Sequence, residues 1–222
     1  MSDDIWWYLT RAAALVSWWM ALASIVLGLL LSSKMMGRRP GFPWLLDLHR
    51  FTSGLAVGFA LLHMGTLWVH DFIEFDLVDL LIPGASSWDT TAVAFGVVAF
   101  WAMAVVQASS LLKNHIPKKV WHGTHLLSYL VAITVTVHAA TAGTDWSNLA
   151  FQLMAVVMCS LIVGLTAVRL GAHRLAQGKR ARRAATLERA KAGPEPTPPV
   201  VDAAPRRRSL ADRHAEAAGR RS

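Results

Sequence analysis

Four histidines lie in two apolar stretches of this chain, and their imidazoles are the side chains most suited to bind a metal there. His49 and His63 lie fourteen residues apart in LHRFTSGLAVGFALLH, and His125 and His138 lie thirteen residues apart in VWHGTHLLSYLVAITVTVHAA. An imidazole is costly in apolar surroundings unless it is paired or coordinated. Two such pairs at matching depths predict axial ligation of two b-type haems, each iron taking one nitrogen from each stretch.

The elements that must position these histidines are predicted to be membrane-spanning helices. The chain has 222 residues, of which 54% are hydrophobic and 16% are charged, and its apolar runs are long enough to cross about 30 Å of hydrocarbon. We predict an all-α membrane protein, a five-helix transmembrane bundle with spans over residues 12–33, 46–69, 90–112, 121–142 and 148–170. The two bis-histidine haem sites then lie between spans two and four. The single cysteine, Cys159, excludes an intrachain disulfide and a cysteine-ligated iron–sulfur cluster.

The basic residues predict the orientation of the bundle. They gather between spans one and two, between spans three and four, and after span five: Lys34, Arg38, Arg39, Lys113, Lys118, Lys119 and the tail beyond Arg169. The positive-inside rule then places the N-terminus outside and the C-terminus in the cytoplasm of a protein of the cell membrane. The net charge of +8 is therefore a topology signal and does not indicate nucleic-acid binding. Spans two and four run in the same direction, with His49 and His125 (the inner pair) near the cytoplasm and His63 and His138 (the outer pair) near the outer face.

The composition divides the chain into three regions. Residues 1–11 are predicted to be an outer N-terminal segment, residues 12–172 the five-span haem domain, and residues 173–222 a basic, disordered cytoplasmic tail. The first part of the tail, over residues 174–191, has a composition compatible with a helical extension of span five. Basic residues this close to the membrane are expected to attract anionic lipids.

Haem ligation has competitors that spacing alone does not exclude. Four histidines at matching depth could also form a proton relay or a divalent-metal path, or could simply pack between helices. Pathways of that kind usually add intramembrane carboxylates, and these stretches have almost none, so haem is favoured. On an ideal helix, thirteen residues leave His125 and His138 about 140° apart. Local over-winding, under-winding or a π-bulge is therefore expected in span four, and His122 stays open as an alternative inner ligand.

The histidine spacing resembles that of the ferric reductase-like transmembrane family, which includes NADPH oxidases, eukaryotic ferric reductases and the haem subunit of the bacterial methionine sulfoxide reductase system. The matching features are the His49–His63 pair and a W-x3-H-x3-Y-x8-H pattern formed by Trp121, His125, Tyr129 and His138. The stretches WYLTRAAALVSWW and DLLIPGASSWD also look like bacterial members, so the resemblance covers roughly residues 6–145. It implies that His125 rather than His122 is the inner ligand. The bacterial haem subunits often lack the first histidine of the set, which this chain has, so two haems are expected rather than one.

The resemblance also implies transmembrane electron transfer by an oxidoreductase membrane component. No glycine-rich phosphate turn or strand–helix alternation follows span five, so we expect no FAD or NAD(P)H site in this chain. A cytoplasmic flavoprotein or quinol is then the expected electron donor, and an acceptor or partner enzyme is expected at the outer face. The alternatives are a haem anchor that feeds a separate periplasmic reductase, a histidine-based proton or metal transporter without haem, and a structural subunit without cofactor.

Charged and outer-loop residues near the histidines complete the predicted site. Arg50 is placed to meet the propionates of the inner haem, and Arg11 those of the outer haem. Lys118 and Lys119 are also close, although lysines there more often lie at the membrane interface. The loop over residues 70–89 is predicted to form an interfacial helix that covers the outer haem. No haem role is expected for the remaining histidines considered, His70, His115, His173 and His214.

Overall fold

A computed structural model describes residues 2–33, 43–69 and 75–192, and this part of the chain is all-helical. Its α-helices, in chain order, are α1 Ser2–Ser33, α2 Pro43–Val69, α3 Leu77–Leu81, α4 Thr90–Leu111, α5 Lys118–His125, α6 Leu127–Thr141 and α7 Leu149–Ala192, with a 3₁₀ turn at Thr144–Ser147 before α7. Five helical segments are long and apolar enough to cross a membrane: Ile5–Ser33, Pro43–Val69, Thr90–Leu111, Lys118–Thr141 and Leu149–Lys191. The five predicted spans are therefore confirmed as helices, and the first begins well before residue 12.

The outward faces of these helices are apolar, as a lipid solvent requires. Large hydrophobic side chains stay exposed in the middle of the spans, for example Ile133 at 62% and Val163 at 68%. In lipid such side chains need no further cover, and the helix satisfies its own backbone polar groups. What holds the helices together is the packing of their inward faces and a few interhelical hydrogen bonds.

The first and second spans form an antiparallel pair along their whole length. The hydroxyl of Ser17 donates to the carbonyl of Ala56 at 2.9 Å, halfway along both helices. Trp18 and Leu22 on α1 are buried, and the Trp18 ring stacks on Phe151 of α7 with centroids 4.8 Å apart. Its Nε1 donates to the Thr136 hydroxyl of α6 at 3.3 Å. The first span thus ties α2, α6 and α7 into one core.

The fourth span is broken at Leu126, between two of the histidines. The backbone N–H of Leu126 lies 3.2 Å from the carbonyls of both His122 and Gly123, and the N–H of Tyr129 bonds the carbonyl of Leu126 at 3.1 Å. Two of these bonds close over three residues, which is 3₁₀ geometry and turns the chain by about 120° per residue. On an ideal helix, thirteen residues end about 140° short of four full turns. Over-winding adds rotation between His125 and His138 and so reduces this gap. Of the distortions expected in this span, over-winding is the one present.

Residues 75–89 precede the third span, and we call them the outer segment because several of them line a cavity with the outer pair. They contain α3 and a turn at residues 83–84. Trp101 of α4 donates to the carbonyl of Leu81 at 2.8 Å. The α4 helix begins after Asp89, whose side chain accepts from the N–H of Ala92 at 3.3 Å. The predicted interfacial helix over residues 70–89 is thus reduced, in its described part, to the five residues Leu77–Leu81.

The last helix, α7, is 44 residues long and runs through the segment for which a helical extension was predicted. The chain divides into two compact units, and the boundary between them follows residue 176. In the second unit, the described residues 177–192 are helical, and the side chains of residues 177–191 are exposed. Several residues used in the predictions lie outside the described part: Lys34, Arg38, Arg39, His70 and the tail from residue 193, which includes His214.

Candidate functional site

The bundle brings the four predicted histidines together as two facing pairs. The ring centroids of His49 and His125 lie 6.2 Å apart, and those of His63 and His138 lie 6.4 Å apart. The two ring planes are inclined by 69° in the inner pair and by 66° in the outer pair. The second span and the α5–α6 segment therefore run in the same direction, with one imidazole from each at each of two levels. Fourteen residues of helix separate the levels on α2, which is about 21 Å.

These separations agree with what a metal between two imidazoles requires. A metal–imidazole nitrogen bond is about 2.0 Å and a ring centre lies about 1.2 Å behind its nitrogen, so trans imidazoles on one metal place their centroids about 6.4 Å apart. Both observed separations lie within 0.2 Å of that value. Rotation of a ring about its own metal–nitrogen axis leaves this distance unchanged, so the inclination of the planes does not oppose it. The separation at each level is thus the one expected if both imidazoles held a single metal between them.

Three of the four rings are anchored through Nδ1 to a backbone carbonyl of a neighbouring helix. His49 Nδ1 lies 2.9 Å from the carbonyl oxygen of Ser24, and His63 Nδ1 lies 3.1 Å from that of Thr10. His138 Nδ1 lies 2.7 Å from the carbonyl oxygen of Ala92. A carbonyl only accepts hydrogen bonds, so in each neutral ring Nδ1 carries the proton and Nε2 keeps its lone pair. This is the tautomer that ligates a metal through Nε2, with the other nitrogen fixed by a carbonyl.

Two glycines make room for the anchored rings. A Cβ on Gly28 would come within 3.3 Å of the His49 ring, and a Cβ on Gly96 would come within 2.8 Å of the His138 ring. Each glycine lies four residues after the carbonyl that the ring uses, Ser24 and Ala92 respectively. Because a helical side chain covers the turn N-terminal to its own Cα, a glycine at that position uncovers the carbonyl. The pairing of carbonyl and glycine thus recurs at both levels.

His125, the fourth ring, is held differently. Its Nδ1 lies 3.4 Å from the hydroxyl of Ser110 on α4, and the Trp121 indole stacks on its ring with centroids 5.1 Å apart and planes inclined by 29°. His122, the alternative inner ligand, is exposed, and its Nδ1 bonds the carbonyl of Lys118 in its own helix at 2.7 Å. The geometry therefore brings His125, and not His122, opposite His49.

The outer pair lines a cavity of about 330 Å³. That volume lies in the range of about 300–1,000 Å³ in which proteins bind small molecules and cofactors. Side chains from α1 and α4 also line it, and they are mainly apolar: Ala14, Leu15, Trp18, Val93, Val97, Phe100. Phe75, Leu80 and Trp88 of the outer segment also line it. A flat macrocycle between the two rings would extend into this space.

The predicted charged residues occupy two different settings. Arg11 lines the outer cavity and is paired with Asp145, and its guanidinium also lies 5.8 Å from the centroid of Trp7. Arg50 is exposed and lies 3.5 Å from Asp47 of its own helix. Lys118, Lys119, His115 and His173 are exposed. Of the two arginines predicted to meet haem propionates, Arg11 thus lines a cavity beside a histidine pair, whereas Arg50 lies on the exposed surface of its helix.

Six residues that position the histidines have no role in the sequence-based prediction of the site: Thr10, Ser24, Gly28, Ala92, Gly96 and Ser110. A signal for the glycines exists in the sequence, because Gly28 and Gly96 are small residues in spans that neighbour the histidine-bearing ones. Finding them requires knowing which helices are adjacent and in which register, and the sequence of one chain does not supply that register.

Comparison of the chain with family models, with curated proteins and with solved structures produced no match.

Proposed function

We propose that this protein is a transmembrane b-type cytochrome that carries electrons from a cytoplasmic donor to an acceptor at the outer face through two haems. The observation that carries the proposal is the pair of matched separations, 6.2 and 6.4 Å, between imidazoles whose Nδ1 atoms are already engaged. Packing alone gives no reason for two levels to share one spacing. The resemblance of the His49–His63 and His125–His138 pattern to the ferric reductase-like transmembrane family supports the same reading.

In this function the chain supplies ligation, spacing and insulation. His49 and His125 offer Nε2 atoms at the inner level, and His63 and His138 offer them at the outer level. Carbonyl anchoring holds three of the rings in the ligating tautomer and prevents them from rotating. A haem with both axial positions filled exchanges single electrons and has no open position for oxygen. The mainly apolar side chains that line the outer cavity would provide apolar surroundings for the macrocycle there.

The arrangement also argues against a protein-only metal site at either level. Each level presents two facing histidine rings, one from each of two helical segments. A zinc site takes three or four protein ligands. Two trans nitrogens suit a metal whose other four ligands come from a macrocycle. A proton relay would need no such fixed spacing between rings.

The partners of the proposed cytochrome follow from its predicted orientation. A cytoplasmic flavoprotein or a quinol would deliver electrons at the inner pair, where Lys118 and Lys119 present positive charge. An acceptor such as a ferric chelate, or a partner enzyme, would take them near the outer cavity. The ion pair of Arg11 and Asp145 lies at that cavity and would stand beside the departing electron's path.

Electron transfer across a sealed membrane tests the proposal. The purified protein is placed in liposomes that contain ferricyanide, dithionite is added outside, and the absorbance of ferricyanide is followed. We expect its bleaching to be fast with the wild-type protein, and to fall to the rate of protein-free liposomes when both levels are disabled in the variant H49A/H63A. The matched control is H122A, which removes an exposed histidine from the same region and should keep the wild-type rate. Colourless wild-type protein from haem-replete cells, or bleaching no faster than in empty liposomes, would contradict the proposal.

A further inference from the structure

The indole nitrogen of Trp121 is a buried donor without an acceptor. Among the described residues, Trp121 Nε1 is the buried side-chain nitrogen or oxygen that has no hydrogen-bond partner. Tryptophan N–H groups in buried positions usually find a partner, and an exception in a native structure calls for an explanation such as a missing ligand. By contrast, Nε1 of Trp18 and Nε1 of Trp101 both donate to groups of the protein.

This unpaired donor lies at the inner histidine pair. The indole stacks on the His125 ring and also meets the edge of His122, with centroids 4.8 Å apart and planes inclined by 79°. Trp121 precedes His125 by one helical turn, on the side of Lys118 and Lys119. It therefore stands between the inner pair and the end of the bundle that is predicted to face the cytoplasm. A group bound to His125 through Nε2 would have the indole as its neighbour on that side.

We propose that Trp121 is a positioning residue of the inner centre, and that its Nε1–H donates a hydrogen bond to a propionate carboxylate of the haem held by His49 and His125. This inference rests on the proposed function, since it requires a haem at the inner level. The two propionates are the only strong hydrogen-bond acceptors on the rim of haem b, and in a membrane protein they turn toward the nearer aqueous face. A water molecule or a lipid headgroup is the competing acceptor.

The hydrogen bond has a predicted electrostatic consequence. An N–H dipole that points at the propionate stabilises negative charge at the inner centre, including the electron that reduction adds. Removing the donor should therefore make the inner centre harder to reduce. The effect should be local, because Trp121 contacts the inner pair and the outer pair lies about four helical turns away.

The test is a redox titration of three variants, with each centre followed by its α-band. W121F keeps an aromatic ring over His125 and removes the donor, W121Y returns a donor at the ring edge, and W101F removes an indole whose acceptor, the Leu81 carbonyl, is known. We expect W121F to lower the reduction equilibrium constant of the inner centre by about two- to threefold, the lower end of what one hydrogen bond contributes. W121Y should recover part of this change, and W101F should leave the inner centre unaltered. In all three variants, the outer centre should keep its wild-type potential and so report that the bundle is folded.

Each outcome decides the matter. An inner potential in W121F equal to that of the wild type overturns the inference and leaves the proposed function intact, and it identifies water or lipid as the acceptor. Loss of the inner haem in both W121F and W121Y would show that ring packing, and not the donor, is what matters, which also overturns it. Loss of the inner haem in W121F together with its retention in W121Y supports the inference.

Should both variants lose both centres, redox-difference infrared spectra of wild-type protein with ring-¹⁵N tryptophan decide. An isotope-sensitive indole N–H band that moves with reduction of the inner centre supports the hydrogen bond, and the absence of such a band overturns it. A wild-type protein without any haem contradicts the proposed function itself.

Discussion

The inner and outer histidine pairs have nearly the same spacing but are held in different ways. Both outer rings are anchored to backbone carbonyls, those of Thr10 and Ala92, and both line a mainly apolar cavity. At the inner level His125 depends on a long contact with the Ser110 hydroxyl and on the Trp121 ring. A carbonyl in a helix is fixed by its own backbone, whereas a serine hydroxyl rotates. The outer level is therefore the rigid one, and the inner level is the one that side-chain chemistry adjusts.

The difference suits the two tasks that the proposed function assigns. An outer centre with rings anchored to fixed carbonyls would keep its ligands in one orientation as electrons leave. At the inner centre one of the two rings, His125, is held by a hydroxyl and an indole, so that centre can be tuned by substitution without rebuilding a helix. The following predictions are ordered from the largest expected effect to the smallest.

Removing one histidine ligand should abolish haem binding at its own level and leave the other level intact. H63A should lose the outer haem and keep the inner one, and H49A should do the reverse, so that pyridine haemochrome analysis falls from about two haems per chain to about one in either variant. The two variants should differ in which α-band component disappears. H115A, which removes an exposed histidine in the turn before α5, serves as the control and should keep both. Two haems in each single variant would show that the ligand assignment is wrong.

The glycines should reveal which level is packed more tightly. A Cβ on Gly96 would come within 2.8 Å of the His138 ring, whereas one on Gly28 would come no closer than 3.3 Å to His49. Overpacking of this kind costs about 1–3 kcal/mol, so G96A should reduce haem occupancy of the outer level roughly tenfold or more at limiting haem. G28A should reduce inner occupancy only slightly.

A glycine with free space supplies the control for this comparison. No atom lies within 4 Å of a Cβ built on Gly58 of α2, so G58A should bind haem as the wild type does. Equal losses in G96A and G28A, measured by haem titration of both centres, would remove the packing difference between the levels.

The Ser110 hydroxyl should matter to the inner level alone. S110A leaves His125 Nδ1 without its described partner. Loss of a hydrogen bond that orients a metal-ligating histidine typically weakens metal binding or activity about tenfold. We expect a similar loss of haem affinity at the inner centre, with the outer centre unchanged. S109A is a matched control, because the neighbouring hydroxyl donates to the Val106 carbonyl of its own helix. Unchanged inner affinity in S110A would mean that His125 is held by Trp121 packing alone.

The ion pair at the outer cavity should have the smallest effect, and one of opposite sign in its two partners. R11Q removes a positive charge from the cavity and should lower the midpoint potential of the outer centre, and D145N should raise it. Both side chains are about a third exposed, so screening limits each change to about 1 kcal/mol or less. R50Q is the control, since Arg50 pairs with Asp47 at the inner end and should leave the outer potential unaltered. Shifts of the same sign in R11Q and D145N would contradict this account.

Much of the bundle could be predicted from the sequence because lipid imposes simple demands. Five apolar runs of sufficient length predict five spans, and the structure has five helices there. The distortion in the fourth span was also foreseeable in kind, since a spacing of thirteen residues cannot place His125 and His138 on one face of an ideal helix. Which distortion occurs, the 3₁₀ tightening at Leu126, depends on packing against neighbouring helices and could not be derived from one helix alone.

The supporting contacts of the histidines were beyond the reach of the sequence for a similar reason. Ser24, Thr10 and Ala92 contribute backbone carbonyls, which every residue has, so no residue type marks them. Gly28 and Gly96 matter only because they lie four residues after two of those carbonyls in the adjacent helix. Interhelical register decides these contacts, whereas the sequence pattern reports only which residues share a helix.

Electron paramagnetic resonance of the oxidised, purified protein, combined with a pyridine haemochrome count, tests the central claim most directly. The account predicts about two b-type haems per chain, both low-spin with two imidazole ligands, because each level offers two Nε2 atoms at the required separation. The single-ligand variants H49A and H63A should each remove one low-spin signal. A protein without haem, or one whose haem is high-spin with a single histidine ligand, would contradict the claim that the paired imidazoles hold two haems across the membrane.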